Sequence, residues 1–161
     1  MHQGWAARRA AGAELGRPLL LALLAEAYRG MGQAEEGLAL VAEALAVVNN
    51  NGERHWEAEL YRLKGELLLE QASTRRKANG NRQPWGEAEA CFHQALDIAR
   101  YQQAKSWELR VAMSLSRLWQ RQGQRNAAYE LLAEVYGWFT EGFDTANLQE
   151  AKALLDELRS H

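Results

Sequence analysis

Side chains able to do chemistry are few in this sequence and poorly spaced for it. His2, His55, His93 and His161 are scattered, with no pair at i and i+4 to set two imidazoles on one helical face for zinc. His2 and His161 also stand where chain ends fray. Cys91 is the single cysteine, so the chain alone can form neither an internal disulfide nor a site of several thiolates. Beside Phe92 on a packing helix, it reads as a small hydrophobe rather than a nucleophile. These residues point to no catalytic group, no metal and no cofactor.

Cations are the other candidates. Ser73–Gly86, STRRKANGNRQPWG, gathers Arg75, Arg76, Lys77 and Arg82 among turn-forming Asn residues and Pro84. A nucleic-acid arm would interleave aromatics with its cations and stand on a basic domain. The whole chain instead carries a formal charge of -2, so nucleic acid is not expected as a partner. The segment is expected to be a solvated loop, with docking of a protein partner as the sharper alternative. A second set, Arg110, Arg117 and Arg121, falls at i, i+7 and i+11 and shares one helical face. It could hold the acidic end of a helix or an extended peptide; a solvated charged face stays equally open.

The elements that must position these residues are helices. Two prolines in 161 residues, abundant Ala, Leu, Glu, Gln and Arg, and almost no runs of Val, Ile or Thr exclude strands from the reading. With 47% hydrophobic and 25% charged residues the chain is an ordinary globular sequence, of a length that suits one domain. Leu19–Ala25, the richest apolar run, falls far short of the roughly 20 residues a membrane span needs. Met1–Ala11 lacks a signal-peptide core. No membrane association is expected, and the lone thiol suits the reducing cytoplasm.

A repeat organises the helices. GAELGRPLLLALLAEAY at Gly12–Tyr28 is answered by GERHWEAELYRLKGELL at Gly52–Leu68, about 40 residues on. KSWELRVAMSLSRLW at Lys105–Trp119 then sets Trp107 where Trp56 stood, with the basic segment as the extra length. Each copy continues into a second helix, at Gln33–Val48, Glu87–Arg100 and Gln124–Tyr136. There a small residue (Gly37, Ala88, Ala128), an apolar one four later (Val41, Phe92, Leu132) and a third three further (Ala44, Ala95, Val135) fall on one face. Small residues at these places let helices approach closely. Glycines in RGMGQ at Arg29–Gln33 and RQGQR at Arg121–Arg125 can take the left-handed conformation that ends a helix.

This pattern resembles the tetratricopeptide repeat. The first copy matches at Leu21, Leu24-Ala25, Tyr28, Gly37, Val41 and Ala44. The second matches at Tyr61, Gly65, Leu68, Ala88, Phe92 and Ala95, and the third, more loosely, at Leu115-Ser116, Trp119, Ala128, Leu132 and Val135. The longer period and the closing VYGWFTEGFDTANLQEAKALLDEL at Val135–Leu158 are similar to the C-terminal repeat region of bacterial multidomain ATPase, nucleotide-cyclase or transcriptional-regulator proteins. The resemblance implies an all-α, right-handed solenoid of three helix pairs plus flanking helices: a partial helix at 1–11, repeats at 13–49, 53–102 with a loop insertion at 73–86, and 105–139, and a capping helix at 144–159 begun by Asp144. Trp56, Trp107 and Trp119 recur at equivalent places and should pack between helices, while Trp5 could cover a bare N-terminal face.

In repeats of this type the first helices line a concave groove. The outward positions would be Leu19, Ala22, Glu26 and Arg29, then Glu59, Arg62, Glu66 and Leu69, then Arg110, Met113, Arg117, Gln120 and Arg121. The implied function is a protein–protein interaction or scaffold module, a regulatory or sensor segment of a signalling protein that binds a peptide or partner domain through Glu26, Arg29, Glu59, Arg62, Glu66, Arg110, Met113, Arg117 and Arg121. A homodimer formed through an exposed N-terminal helix face, and a small-ligand sensor, are the other two readings.

Overall fold

A computed structural model describes residues 17–51, 54–79, 85–140, 142 and 145–160. The partial helix at 1–11, Trp5, His2, His161, Asp144 and most of the turn around Pro84 lie outside them. Among the described residues every element is helical and none is a strand: α1 (17–30), α2 (Ala34–Asn51), a short 3-10 turn (Arg54–Trp56), α3 (Glu57–Asn79), α4 (Trp85–Tyr101), α5 (Lys105–Arg121), α6 (Arg125–Tyr136) and α7 (Ala146–Arg159). Among them, no helix is long and apolar enough to cross a membrane.

The helix ends follow the sequence signals closely. Gly32 (φ 75°) and Gly123 (φ 83°) close α1 and α5 in the left-handed region. In each case two backbone bonds wrap the last turn: Gln33 N–H to Tyr28 O with Gly32 N–H to Arg29 O, and Gln124 N–H to Trp119 O with Gly123 N–H to Gln120 O. Helix α4 ends the same way, but a non-glycine, Gln103 (φ 53°), occupies the left-handed position.

Two boundaries differ from expectation. Ser73–Asn79 is not loop: α3 runs on to Asn79, and α4 already begins at Trp85. Nothing in Ser73–Ala78 breaks a helix, and Thr74 Oγ1 donates to the Glu70 carbonyl at 3.1 Å, which keeps the hydroxyl within the helix. Residues 80–84 of the expected insertion lie outside the described residues. At the other end, Thr145 caps α7 by accepting from Leu148 N at 3.4 Å, one residue past the expected Asp144.

The chain divides into two compact units, Met1–Ala88 and Glu89–His161. In the first, Leu21, Ala22 and Ala25 of α1 meet Val41, Ala44 and Val48 of α2 and Leu60, Leu63 and Leu67 of α3, with Trp56 packed at the edge. Gly37 explains how three helices fit together. A Cβ there would sit 2.7 Å from Leu67 Cδ2 and 3.3 Å from the Ala25 carbonyl oxygen, so any larger residue would push the Leu67 side chain aside and crowd α1.

In the second unit Leu109, Ala112 and Met113 of α5 pack with Ala128, Leu132 and Val135 of α6 and Leu148, Ala151, Leu154 and Leu158 of α7. Ser116, fully buried, donates to the Ala128 carbonyl at 3.1 Å, so its hydroxyl carries no unmet polar cost. Helices α4 and α5 are tied by charge: Arg100 Nε donates to Glu108 Oε2 at 3.0 Å, and Trp119 Nε1 donates to Glu89 Oε1 at 2.9 Å. Glu108 is almost wholly buried while Arg100 keeps its head partly in water, so the pair spares Glu108 the cost of an unmatched buried charge. Residues Ala88, Phe92 and Ala95 of α4 are fully buried, as their spacing required.

Candidate functional site

Charged side chains concentrate on one surface of the first unit, and their origin is a short sequence echo. Glu26-Ala-Tyr-Arg29 on α1 and Glu59-Leu-Tyr-Arg62 on α3 each place a carboxylate three residues before an arginine, where helical geometry sets them side by side. Arg29 Nη2 donates to Glu26 Oε1 at 2.6 Å and its Nε to Oε2 at 3.3 Å. Arg62 grips Glu59 in the same two-pronged way, at 2.7 and 2.9 Å. Such bidentate pairs fix both partners in orientation.

Glu66 joins the two pairs. Its carboxylate lies 3.8 Å from Arg29 Nη1 and 3.9 Å from Arg62 Nη1, so one anion from α3 spans arginines on two helices. One turn further, Glu70 completes the row. The set holds four carboxylates (Glu26, Glu59, Glu66 and Glu70) against two guanidiniums (Arg29 and Arg62).

The electrostatics follow from that imbalance. The hydrogen bond from Glu26 holds Arg29 above the ordinary arginine value, against a desolvation cost and with further help from the charges of Glu26, Glu66 and Glu70. Burial pulls Arg62 down most strongly, yet the hydrogen bond and charge of Glu59, with Glu66 and Glu26 behind them, leave it raised. Glu70 is raised above the usual carboxylate range, first by desolvation and then by repulsion from Glu66 and Glu26, which together outweigh Arg29. Both arginines are locked in their charged form. The excess anion is felt at Glu70.

The groove reading fares unevenly against these positions. Glu26, Arg29, Glu59, Arg62 and Glu66 do come together. They are not equally accessible: Glu59 and Arg62 keep only 8% and 6% of their surface, whereas Glu26 and Arg29 are half-buried. Ala22 belongs to the first core, and Leu69 is buried as well. Met113, expected on the partner-binding surface, is 3% exposed and packs in the core of the second unit. Both α6 and α7 lie against α5, and residues of all three helices share the core that takes in Met113. Glu70 was not among the expected residues; its place four after Glu66 and eleven after Glu59, on the same stripe, was the available signal.

The arginine row of α5 is less open than its spacing suggested. Arg110 is half-buried, and Arg117 Nη2 stands 3.9 Å from Glu150 Oε2 of α7. Gln120 donates to Glu157 Oε1 at 3.1 Å. Carboxylates of α7 thus already answer part of this surface.

Other reactive groups stand apart. Cys91 is buried in α4. The rings of His55 and Trp56 meet edge to face at 4.9 Å, and His93 Nε2 lies 3.5 Å from Glu89 Oε1. Among the described residues no three His, Cys, Asp or Glu side chains are grouped to hold a metal ion. An open cleft of about 250 Å³ in the first unit is bounded by Gly32, Glu35, Glu36, Gln71 and Thr74. One of about 450 Å³ in the second is bounded by Arg125, Tyr129, Glu130 and Arg159. No family model, no curated protein and no solved structure matches the chain.

Proposed function

We propose that the chain is a tetratricopeptide-like array of helix pairs that works as a protein–protein interaction module. In this reading it is a scaffold or regulatory segment of the kind found beside bacterial ATPase, cyclase or transcription-regulator domains. Support for the repeat comes from its second helices: the small, apolar and small or apolar triplets Gly37/Val41/Ala44, Ala88/Phe92/Ala95 and Ala128/Leu132/Val135 are all buried in the same register.

The observation that carries the binding role is the rigid anionic surface of α1 and α3. Two arginines are immobilised by bidentate bonds, and Glu66 and Glu70 leave a surplus of negative charge at the accessible edge. A surface of this kind favours a partner segment bearing Lys or Arg, and it gives specificity and approach rate more than raw affinity.

Fluorescence anisotropy with a labelled Lys/Arg-rich peptide and its Glu-rich counterpart tests this. The basic peptide is expected to bind, to weaken with added salt, and to lose about tenfold in affinity on the E66Q/E70Q variant. Equal binding of both peptides, no binding of the basic one, or an unchanged affinity on the variant overturns the charge reading.

A further inference from the structure

Helix α1 is apolar on two opposite sides, and only one of them has a partner within the described fold. Leu21, Ala22 and Ala25 enter the first core. On the other side, Leu19, Leu20, Leu23 and Leu24 are exposed, Leu20 by 57% and Leu23 by 60%, and Met31 in the following turn extends the stripe at 61%. At 3.6 residues per turn these side chains and Ala27 cover one continuous arc. A second apolar side on a helix whose first already enters a core is expected to be covered. Scattered exposed leucines need no explanation, but a contiguous stripe does.

From this stripe we infer that a second copy of the chain covers the face, with the two α1 helices antiparallel across a twofold axis near Leu23 and Leu24. Three features favour a copy over a different partner. The stripe leaves on the order of 500 Å² of apolar surface, so two copies meeting face to face bury about 1,000 Å², the lower bound of a specific interface. No charged side chain falls within it, since Glu26 and Arg29 lie on its flank and are bonded to each other. An identical face therefore meets no repulsion, and a charged partner finds nothing to select.

The ends also complement one another. Antiparallel pairing brings Arg17, at the start of α1, beside the C-terminal end of the other helix, where carbonyl dipoles favour a cation and where the exposed Glu35 and Glu36 open α2. Arg17 pairs with Glu43 of α2 within its own chain and still keeps 43% of its side chain exposed. Each copy supplies the same patch to the other, so the interface closes as a dimer rather than growing into a filament. Glu26 borders both this face and the carboxylate edge, but the two proposals are told apart because Glu66→Gln/Glu70→Gln probes only the charge and L20K/L23K only the stripe.

Light scattering on the eluting chain at about 5–200 μM, with circular dichroism on each variant, decides the matter. The expected result is a dimer for the wild type and a monomer of unchanged helicity for L20K/L23K. A single Leu24→Cys substitution, placed near the axis, should oxidise to a covalent dimer, since the native Cys91 is buried. A monomeric wild type overturns the proposal. So does a dimer that survives L20K/L23K, and so does loss of helicity in both L20K/L23K and the milder L20A/L23A, which would mean the face is covered from within its own chain.

Discussion

Glu70 is the residue at which the charge imbalance of the α1/α3 surface becomes measurable. Its folded-state proton affinity is raised by burial first and by Glu66 and Glu26 second. The native state therefore holds a proton more tightly than the unfolded chain does, and unfolding releases it in the window between the ordinary carboxylate value of about 4.3 and the raised folded one. Stability contributed by this group is complete below that window and falls as pH rises through it. At pH 7 the ionised Glu70 is a small burden. Glu70→Gln removes the burden, so the variant should be more stable than wild type at pH 7 by a few tenths of a kcal/mol after solvent screening, and the gain should vanish near pH 4. Urea denaturation at the two pH values reads the difference; a variant less stable at pH 7 would show that attraction to Arg29 dominates instead.

Helix ends show how one local rule recurs along the chain. Gly32, Gln103 and Gly123 hold the same left-handed position after α1, α4 and α5, with the same pair of backbone bonds. Only Gln103 carries a Cβ against that conformation, a cost of about 1 kcal/mol that glycine avoids. Gln103→Gly should therefore raise the midpoint of thermal unfolding slightly, with a net gain of a few tenths of a kcal/mol once the extra freedom of glycine in the unfolded chain is charged against it. An unchanged or lower midpoint would mean that the exposed Gln103 side chain makes a contact worth more than the strain. The same element scale marks what could be read beforehand. The buried triplets of α2, α4 and α6 were legible because a 3.6-residue period and a small residue at one place allow a single facing. Ser73–Asn79 was misread because its Asn and nearby Pro84 weighed as turn formers, while Ser, Thr, Arg, Lys and Ala between them extend a helix that already has sixteen residues behind it. At Met113 and Ala22, the period of one helix pair placed the residue outward; it could not tell that each would join a core built from three helices.

Within each unit the described helices pack mainly against neighbours in sequence: α2 with α3 in the first, and α5 with α6, α6 with α7 and α5 with α7 in the second. The two core clusters share no residue, one built from Leu21 to Leu67 and the other from Leu109 to Leu158. Where contacts are local in this way, openings can involve a few helices at a time. Leu132 offers the sharpest probe. It is fully buried in α6 and sits in the centre of the second cluster, so Leu132→Ala removes buried methyl groups and leaves a cavity, a loss of about 2–5 kcal/mol. Amide hydrogen exchange followed helix by helix should then show protection falling first and furthest in α5, α6 and α7, with α2 and the first turns of α3 changing less. Equal loss of protection in all helices would mean that the chain opens only as one cooperative body, and local opening would have to be abandoned.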